Sequence, residues 1–128
     1  MSQFLLDTHT FIWLTEDSPN LPDDLRAMID AADLVYVSIA SLWEISIKLK
    51  LGKLSLQQSY ESIGKTVVSS DILLLPIAFE DTAQLLNLPL YHNDPFDRIL
   101  IAQAINHSLV IISTDKKFDA YPIQRVWS

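Results

Sequence analysis

The 128-residue sequence contains no cysteine and only two glycines, Gly52 and Gly64. Without cysteine, the chain cannot form disulfides, zinc sites with thiolate ligands or a cysteine nucleophile. With so few glycines it also lacks a glycine-rich phosphate-binding loop, and the segment DTHT after the first apolar run contains no glycine. Disulfide-stabilised proteins, thiol-dependent enzymes and nucleotide-binding proteins of the glycine-loop type are therefore excluded.

Basic residues are also scarce, because nine Lys and Arg stand against 16 Asp and Glu, which gives a net charge of −7. This balance argues against a protein that coats nucleic acid through a general basic surface. It does not exclude a nuclease, because an acidic site becomes locally cationic when it binds a divalent metal ion.

Long apolar runs are missing, since no stretch approaches the ~20 residues that span a bilayer. The segment MSQFLLD has no charged region followed by a long apolar run and does not look like a signal peptide. We therefore expect a cytoplasmic protein that does not associate with a membrane. The length fits a single domain, taken as residues 1–128.

Short apolar runs alternate with helical patterns along the chain. The runs predict strands at residues 4–7, 34–38, 72–77, 109–113 and, more weakly, 123–127. The middle runs are nearly continuous, which is typical of strands that are covered on both faces. Helical patterns occupy residues 8–16, 22–32, 39–52, 56–69, 79–88 and 94–107. This alternation predicts an α/β fold with a parallel sheet and helices on both faces.

Carboxylates from four separate segments can converge in such a fold. Asp7 ends the first predicted strand and Asp115 closely follows the fourth, so parallel strands would place both at one edge of the sheet. Glu44 lies about one turn into the helix after the second strand. Asp97 lies in the first turn of the helix before the fourth strand. The predicted architecture therefore allows an acidic site at the carboxyl ends of the strands.

Three of these acids also have a purely structural interpretation, which the residues alone leave open. Asp7 could cap the helix that follows it. Asp115 could begin a turn by accepting hydrogen bonds from its own backbone. Glu44 is four residues before Lys48 and could form an exposed pair with it on the helix surface.

The segment DPFDR, residues 94–98, carries two acids at the start of an apolar helical pattern. Asp94 at the N-cap, Pro95 at the first helical position and Asp97 at the third form a typical helix start. The segment therefore raises the question of whether its acids begin a helix or bind a ligand.

Apolar surroundings favour a functional interpretation of Glu44 and Asp97, which lie within SLWEISIK and before RILIAQA. A buried carboxylate is costly unless it is paired or binds a cation. Carboxylates in one cleft also repel each other unless cations lie among them. Oxygen ligands favour Mg²⁺ or Mn²⁺. The chain has no His-x-x-x-His pair for zinc, and we expect His9, His92 and His107 to be too scattered to form a site.

These motifs, in their order and spacing, resemble the PIN domain and, within it, the VapC-like toxins of type II toxin–antitoxin systems. The motifs are an Asp at the end of the first strand, SLWEISIK, HNDPFDRILIAQA and IISTDKKF, and the resemblance runs along essentially the whole chain. It implies a metal-dependent ribonuclease whose catalytic and metal-binding acids are Asp7, Glu44, Asp97 and Asp115. Asp94 then begins the helix, and a contact of Asp94 with the metal through water stays open.

The resemblance also implies a fold, a cofactor and partners. The fold would be a three-layer α/β/α sandwich around a parallel five-stranded sheet with strand order 3-2-1-4-5. One or two Mg²⁺ or Mn²⁺ ions would activate water to cleave RNA phosphodiester bonds. The chain would form a homodimer and bind a cognate antitoxin protein. Ser113, with Thr114 as the second candidate, would be the small polar residue that supports the last acid.

Two cations are candidate contacts to the phosphates of an RNA substrate, namely Lys48 and Arg98. Their alternative is a solvated helix end, where the helix dipole favours cations. For the whole chain, the alternative is a non-catalytic PIN-like module that binds RNA or protein. A phosphorelay receiver domain also has this length and fold class, but it needs an acid after the third strand, where ILLLPIAF has none.

Overall fold

The structure is a computed structural model that describes residues 2–128. Within these residues, five strands form one sheet in which every neighbouring pair is parallel. The strands are β1 (Gln3–Leu6), β2 (Leu34–Ser38), β3 (Leu73–Leu75), β4 (Val110–Ile112) and β5 (Arg125–Val126). Their order across the sheet is β3-β2-β1-β4-β5, which confirms the expected topology.

Helices connect the strands where the sequence patterns predict them. They are α1 (Thr8–Thr15), α2 (Asp23–Asp30), α3 (Ile39–Lys50), α4 (Tyr60–Ser69), α5 (Phe79–Leu85) and α6 (Pro95–His107), followed by a 3₁₀ helix (Lys116–Ala120). The helix predicted over 56–69 begins only at Tyr60, because Ser59 caps it by accepting a hydrogen bond from the backbone N–H of Ser62.

Successive residues of the strands face opposite sides of the sheet and enter different apolar cores. In β1, Phe4 and Leu6 pack into a core with residues of α1, α2, α3 and α4. Leu5 packs on the other side with residues of α6 and the 3₁₀ helix. Burial of a Leu side chain is worth about 1.5–3 kcal/mol, so both faces hold the sheet firmly. The resulting arrangement is the expected three-layer α/β/α sandwich.

The strand β3 departs from the expectation that the middle strands are covered on both faces. It lies at the edge of the sheet, and Leu73 and Leu74 are 42% and 48% exposed. Only Leu75 of this strand is buried. The apolar run identifies the strand, but its position at the edge leaves part of it uncovered.

The strand order reverses between β1 and β4, and this reversal places the ends of the two strands side by side. Leu6 pairs with Ile112 in the parallel register. One residue later, the backbone N–H of Asp7 donates to the carbonyl of Ile112 at 3.2 Å. Asp7 and Ser113 therefore follow directly at the carboxyl edge, where open α/β sheets bind ligands.

The helix α6 begins as the segment DPFDR predicts. Asp94 Oδ1 accepts hydrogen bonds from the backbone N–H groups of Phe96 at 2.9 Å and Asp97 at 3.0 Å. Pro95 is the first helical residue, where its missing N–H costs nothing. This cap sets the direction in which the first turn of α6, including Asp97, enters the carboxyl edge of the sheet.

Among the helices in residues 2–128, none combines the length and apolar character needed to cross a bilayer.

The cap on α6 can be tested with two uncharged substitutions of Asp94. Asp94→Ala should lower the free energy of unfolding by about 0.5–2 kcal/mol, because it leaves two helix N–H groups without an acceptor. Asp94→Asn should keep most of the stability, since its side-chain oxygen still accepts these bonds. Urea unfolding monitored by circular dichroism measures both. Equal losses in the two variants would contradict the capping role.

Candidate functional site

Asp7 and Asp115 each use one carboxylate oxygen to fix local backbone. Asp7 Oδ1 accepts from the backbone N–H of Thr10 at 2.9 Å and caps α1. Asp115 Oδ1 accepts from the backbone N–H of Lys117 at 3.0 Å and begins the 3₁₀ helix. The structural interpretations of these two acids are therefore correct. They involve only Oδ1 of each carboxylate, so Oδ2 can serve a different purpose.

Glu44 is held between two donors from α1 and α3. Thr8 Oγ1 donates to Glu44 Oε1 and Lys48 Nζ donates to Oε2, both at 2.7 Å. The hydrogen bond with Glu44 raises the pKa of Lys48, and the charges of Asp94 and Asp97 raise it further. The pair of Glu44 and Lys48 exists, but Glu44 is only 6% exposed. The alternative of an exposed surface pair is therefore wrong for the acid.

Asp97 lies in an environment that disfavours its negative charge. Its side chain is 22% exposed, and burial raises the pKa of its carboxyl to about 7. Repulsion from four other carboxylates also raises this pKa. The four are those of Asp94, Glu44, Asp7 and Asp115. The other three predicted acids thus lie close enough to act on Asp97, and their charges favour a proton or a cation at its carboxylate.

His92 joins two of these acids. Its Nε2 lies 3.0 Å from Asp97 Oδ2 and 3.1 Å from Asp115 Oδ2. Candidate ligand atoms of these three residues all lie within 4.8 Å of one another, and in the described chain Asp7 and Glu44 are outside this tight group. The expectation that the histidines are too scattered was wrong for His92, because its partners are carboxylates and not other histidines.

The polar residues predicted beside Asp115 differ in their environment. Ser113 is fully buried, and its Oγ accepts a hydrogen bond from the backbone N–H of Asp115 at 2.9 Å. Thr114 is exposed. The geometry therefore favours Ser113 as the residue that supports the loop of the last acid.

Arg98 lies beside Asp97 in sequence, but its guanidinium faces the connection between α5 and α6. It donates to the carbonyls of Leu88 at 3.2 Å, Pro89 at 2.9 Å and His92 at 3.3 Å. These bonds engage both terminal nitrogens of the guanidinium, Nη1 and Nη2. The prediction that Arg98 contacts the substrate has no support in this geometry, whereas its role in fixing the connection is evident.

The donor set fits a hard divalent cation. Carboxylate oxygens are the ligands that Mg²⁺ and Mn²⁺ prefer. No hydrogen bond from residues 2–128 reaches Asp97 Oδ1 or Asp7 Oδ2. Together with the raised pKa of Asp97, these oxygens indicate a site where negative charge is incompletely compensated by the protein. Asp7, Glu44, Asp97 and Asp115 are the candidate ligands.

Comparison with known families gives a match over nearly the whole chain. Residues 4–124 match the family described as the PIN domain. No curated protein matches the chain in sequence closely enough to extend this comparison.

Solved structures with the same fold include a toxin–antitoxin complex from Klebsiella pneumoniae, with 18% identity, a TM-score of 0.67 and coverage of 98% of this chain and 97% of that chain. DNA-bound VapBC from Salmonella typhimurium has 19% identity and a TM-score of 0.69, and the match covers 98% of both chains. VapC20 from Mycobacterium tuberculosis, a toxin that cleaves the sarcin–ricin loop, has 13% identity, a TM-score of 0.65 and coverage of 97% and 98%. At these identities the likeness concerns the fold.

The strain on Asp97 predicts a pH-dependent gain in stability for Asp97→Asn. The carboxyl has a pKa of about 7 in the folded chain and near 3.8 when unfolded, so the folded state binds more protons between these values. The contribution of this group to stability is therefore present below about pH 4 and is lost as the pH rises to about 7. In EDTA, the variant should exceed the wild type at pH 8 by on the order of 2–4 kcal/mol.

Urea unfolding in EDTA at pH 8 and at pH 4.5 measures this difference, which should shrink at the lower pH. Asp119→Asn is the control, because the hydrogen bond with Arg125 lowers the pKa of Asp119 and the variant should show no gain at pH 8. Equal stability of Asp97→Asn and wild type at both pH values would contradict the strain on Asp97.

Proposed function

Because the chain belongs to the PIN domain family, we propose that it is a metal-dependent endoribonuclease and the toxin of a type II toxin–antitoxin pair. The observation that carries the proposal is the cluster of carboxylates around Asp97, whose pKa is raised to about 7 by burial and by the charges of these neighbours. Such a cluster is unfavourable in the metal-free chain and becomes favourable when it holds cations.

Asp7, Glu44, Asp97 and Asp115 are the residues that would hold one or two Mg²⁺ or Mn²⁺ ions. A divalent cation at such a site supplies Lewis acidity to a phosphate and lowers the pKa of water. The protein contributes the fixed positions of the acids. The caps made by Oδ1 of Asp7 and Asp115 restrain these side chains before any ligand arrives, so binding costs less conformational entropy.

Of the two cations predicted to contact the substrate, Lys48 is the one that lies beside the acids. Its Nζ lies on Glu44 Oε2 at 2.7 Å, and its side chain is 39% exposed. A metal ion that binds Glu44 would compete with Lys48 for this oxygen. Released from this pair, Lys48 would contact a phosphate next to the scissile bond.

The substrate and partners form the finer part of the proposal. VapC20 is a toxin that cleaves the sarcin–ricin loop, and the Klebsiella structure is a toxin–antitoxin complex. By analogy, we propose that this chain cleaves cellular RNA in the cytoplasm, forms a homodimer and is inhibited by a cognate antitoxin protein. A neighbouring gene for a small DNA-binding protein would support the toxin role.

The decisive experiment compares RNA cleavage by the wild type and Asp7→Asn in Mg²⁺, Mn²⁺ and EDTA. The wild type should cleave in either metal and stop in EDTA. Asp7→Asn should lose activity on the order of 100-fold, because one charged oxygen of the site is replaced by an amide. The variant should still fold, since Asn can accept the capping bond from Thr10.

Asp30→Asn, which changes an exposed acid at the end of α2, is the matched control and should cleave like the wild type. Cleavage that persists in EDTA, or equal activity of wild type and Asp7→Asn, would contradict the metal-dependent mechanism. Metal-dependent RNA binding without cleavage by the wild type would instead support the alternative of a non-catalytic binding module.

A further inference from the structure

His92 occupies a position that the surrounding chain builds with several contacts. The residue is 5% exposed, and its ring lies beside Phe118 with 5.7 Å between the ring centroids. Its backbone N–H donates to Tyr121 Oη at 2.8 Å, and its carbonyl accepts from Arg98 at 3.3 Å. Arg98 and Tyr121 both also donate to the carbonyl of Pro89. The backbone and ring of His92 are therefore fixed independently of the acids.

The hydrogen bonds of the ring define which nitrogen carries the proton. The backbone N–H of Asp94 donates to His92 Nδ1 at 3.3 Å. An imidazole nitrogen that accepts a hydrogen bond carries no hydrogen, so Nε2 is the N–H donor. Nε2 makes a hydrogen bond with Asp115 Oδ2 at 3.1 Å and lies 3.0 Å from Asp97 Oδ2. The Nε2–H thus bonds to the carboxylate of Asp115, and Nε2 lies in close contact with that of Asp97.

The donor and acceptor nitrogens of the His92 ring are the reverse of those in histidines that bind metal ions. A ligating histidine usually donates from its other ring nitrogen to a carboxylate or a backbone carbonyl. Here the other nitrogen of His92 accepts from a backbone N–H, and the nitrogen near the acids carries the hydrogen. The compact group of His92, Asp97 and Asp115 therefore looks like a three-ligand metal site by distance, but the hydrogen bonds assign a different role to the histidine.

We propose that His92 is a positioning residue that donates its Nε2–H to Asp115, pairs closely with Asp97, and holds both acids for the metal without binding it. The inference rests on the proposed metal site. By holding Oδ2 of both acids, His92 offsets their mutual repulsion and leaves Asp97 Oδ1 to face a cation. Without this donor the two carboxylates separate, and metal binding must first bring them back together.

Metal affinity, which is independent of RNA cleavage, provides the first test. Isothermal titration of the metal-free chain with MnCl₂ should give a Kd that is about 10–100-fold higher for His92→Leu than for the wild type. Leu fills most of the space of the ring but has no donor. His92→Gln keeps an N–H donor at a similar distance along the side chain and should restore most of the affinity. A purely structural role would not give this rescue.

His107→Gln is the matched control, because His107 is 44% exposed in the last turn of α6 and lies near Asp81, away from the site. It should bind Mn²⁺ like the wild type. An unchanged Mn²⁺ affinity in His92→Leu would overturn the role of His92 while leaving the metal site in place. No Mn²⁺ binding by the wild type would overturn both the proposed function and this inference.

Spectroscopy of the wild-type chain gives a second test that does not depend on how His92→Leu folds. A long-range ¹H–¹⁵N spectrum of the metal-free chain should show the Nε2–H tautomer for His92. Electron spin echo modulation of the Mn²⁺-loaded chain should show no directly coordinated imidazole nitrogen. The Nδ1–H tautomer, or a nitrogen bound directly to Mn²⁺, would overturn the proposal.

Discussion

Repulsion among partly desolvated carboxylates at the carboxyl edge of the sheet is the constraint on which the arrangement of the site depends. At Asp97, burial and this repulsion together raise the pKa to about 7 in the folded chain. Hydrogen bonds from backbone and side chains surround the other acids, including those of Thr8 and Lys48 to Glu44. These donors reduce the repulsion without removing it. The fold can therefore hold the acids together while it keeps their affinity for cations.

An acid that caps a helix can still offer an oxygen to a ligand. Asp7 and Asp115 both cap helices, and each does so with a single carboxylate oxygen. In DPFDR the two tasks belong to different residues. Asp94 caps α6, and Asp97, whose pKa is raised, is the candidate ligand. A carboxylate with two oxygens can satisfy a local backbone requirement and a site requirement at once, so evidence for one role does not count against the other.

Much of the fold could be predicted from the sequence, because strand–helix alternation and the end of each strand are local properties. The cap at Asp94 is local too, and the strand order followed from the resemblance of four motifs. His92 could not be recognised, because its role depends on contacts with Asp97 and with Asp115, which is 23 residues away. The bonds of Arg98 to backbone carbonyls could not be predicted for the same reason, since these carbonyls become its neighbours only in the folded chain. The exposure of β3 depends on the sheet edge, which an apolar run does not reveal.

The short segment from His92 to Pro95 restricts insertions and deletions at this point of the chain. Asp94 precedes a proline, which restricts its backbone to the extended region, and its φ of −67° and ψ of 120° agree with this restriction. That conformation aims the N–H of Asp94 at the histidine ring while its side chain begins α6. An inserted or deleted residue here would break both bonds in a single step. Although it is an irregular connection, the segment should tolerate substitutions better than changes in length.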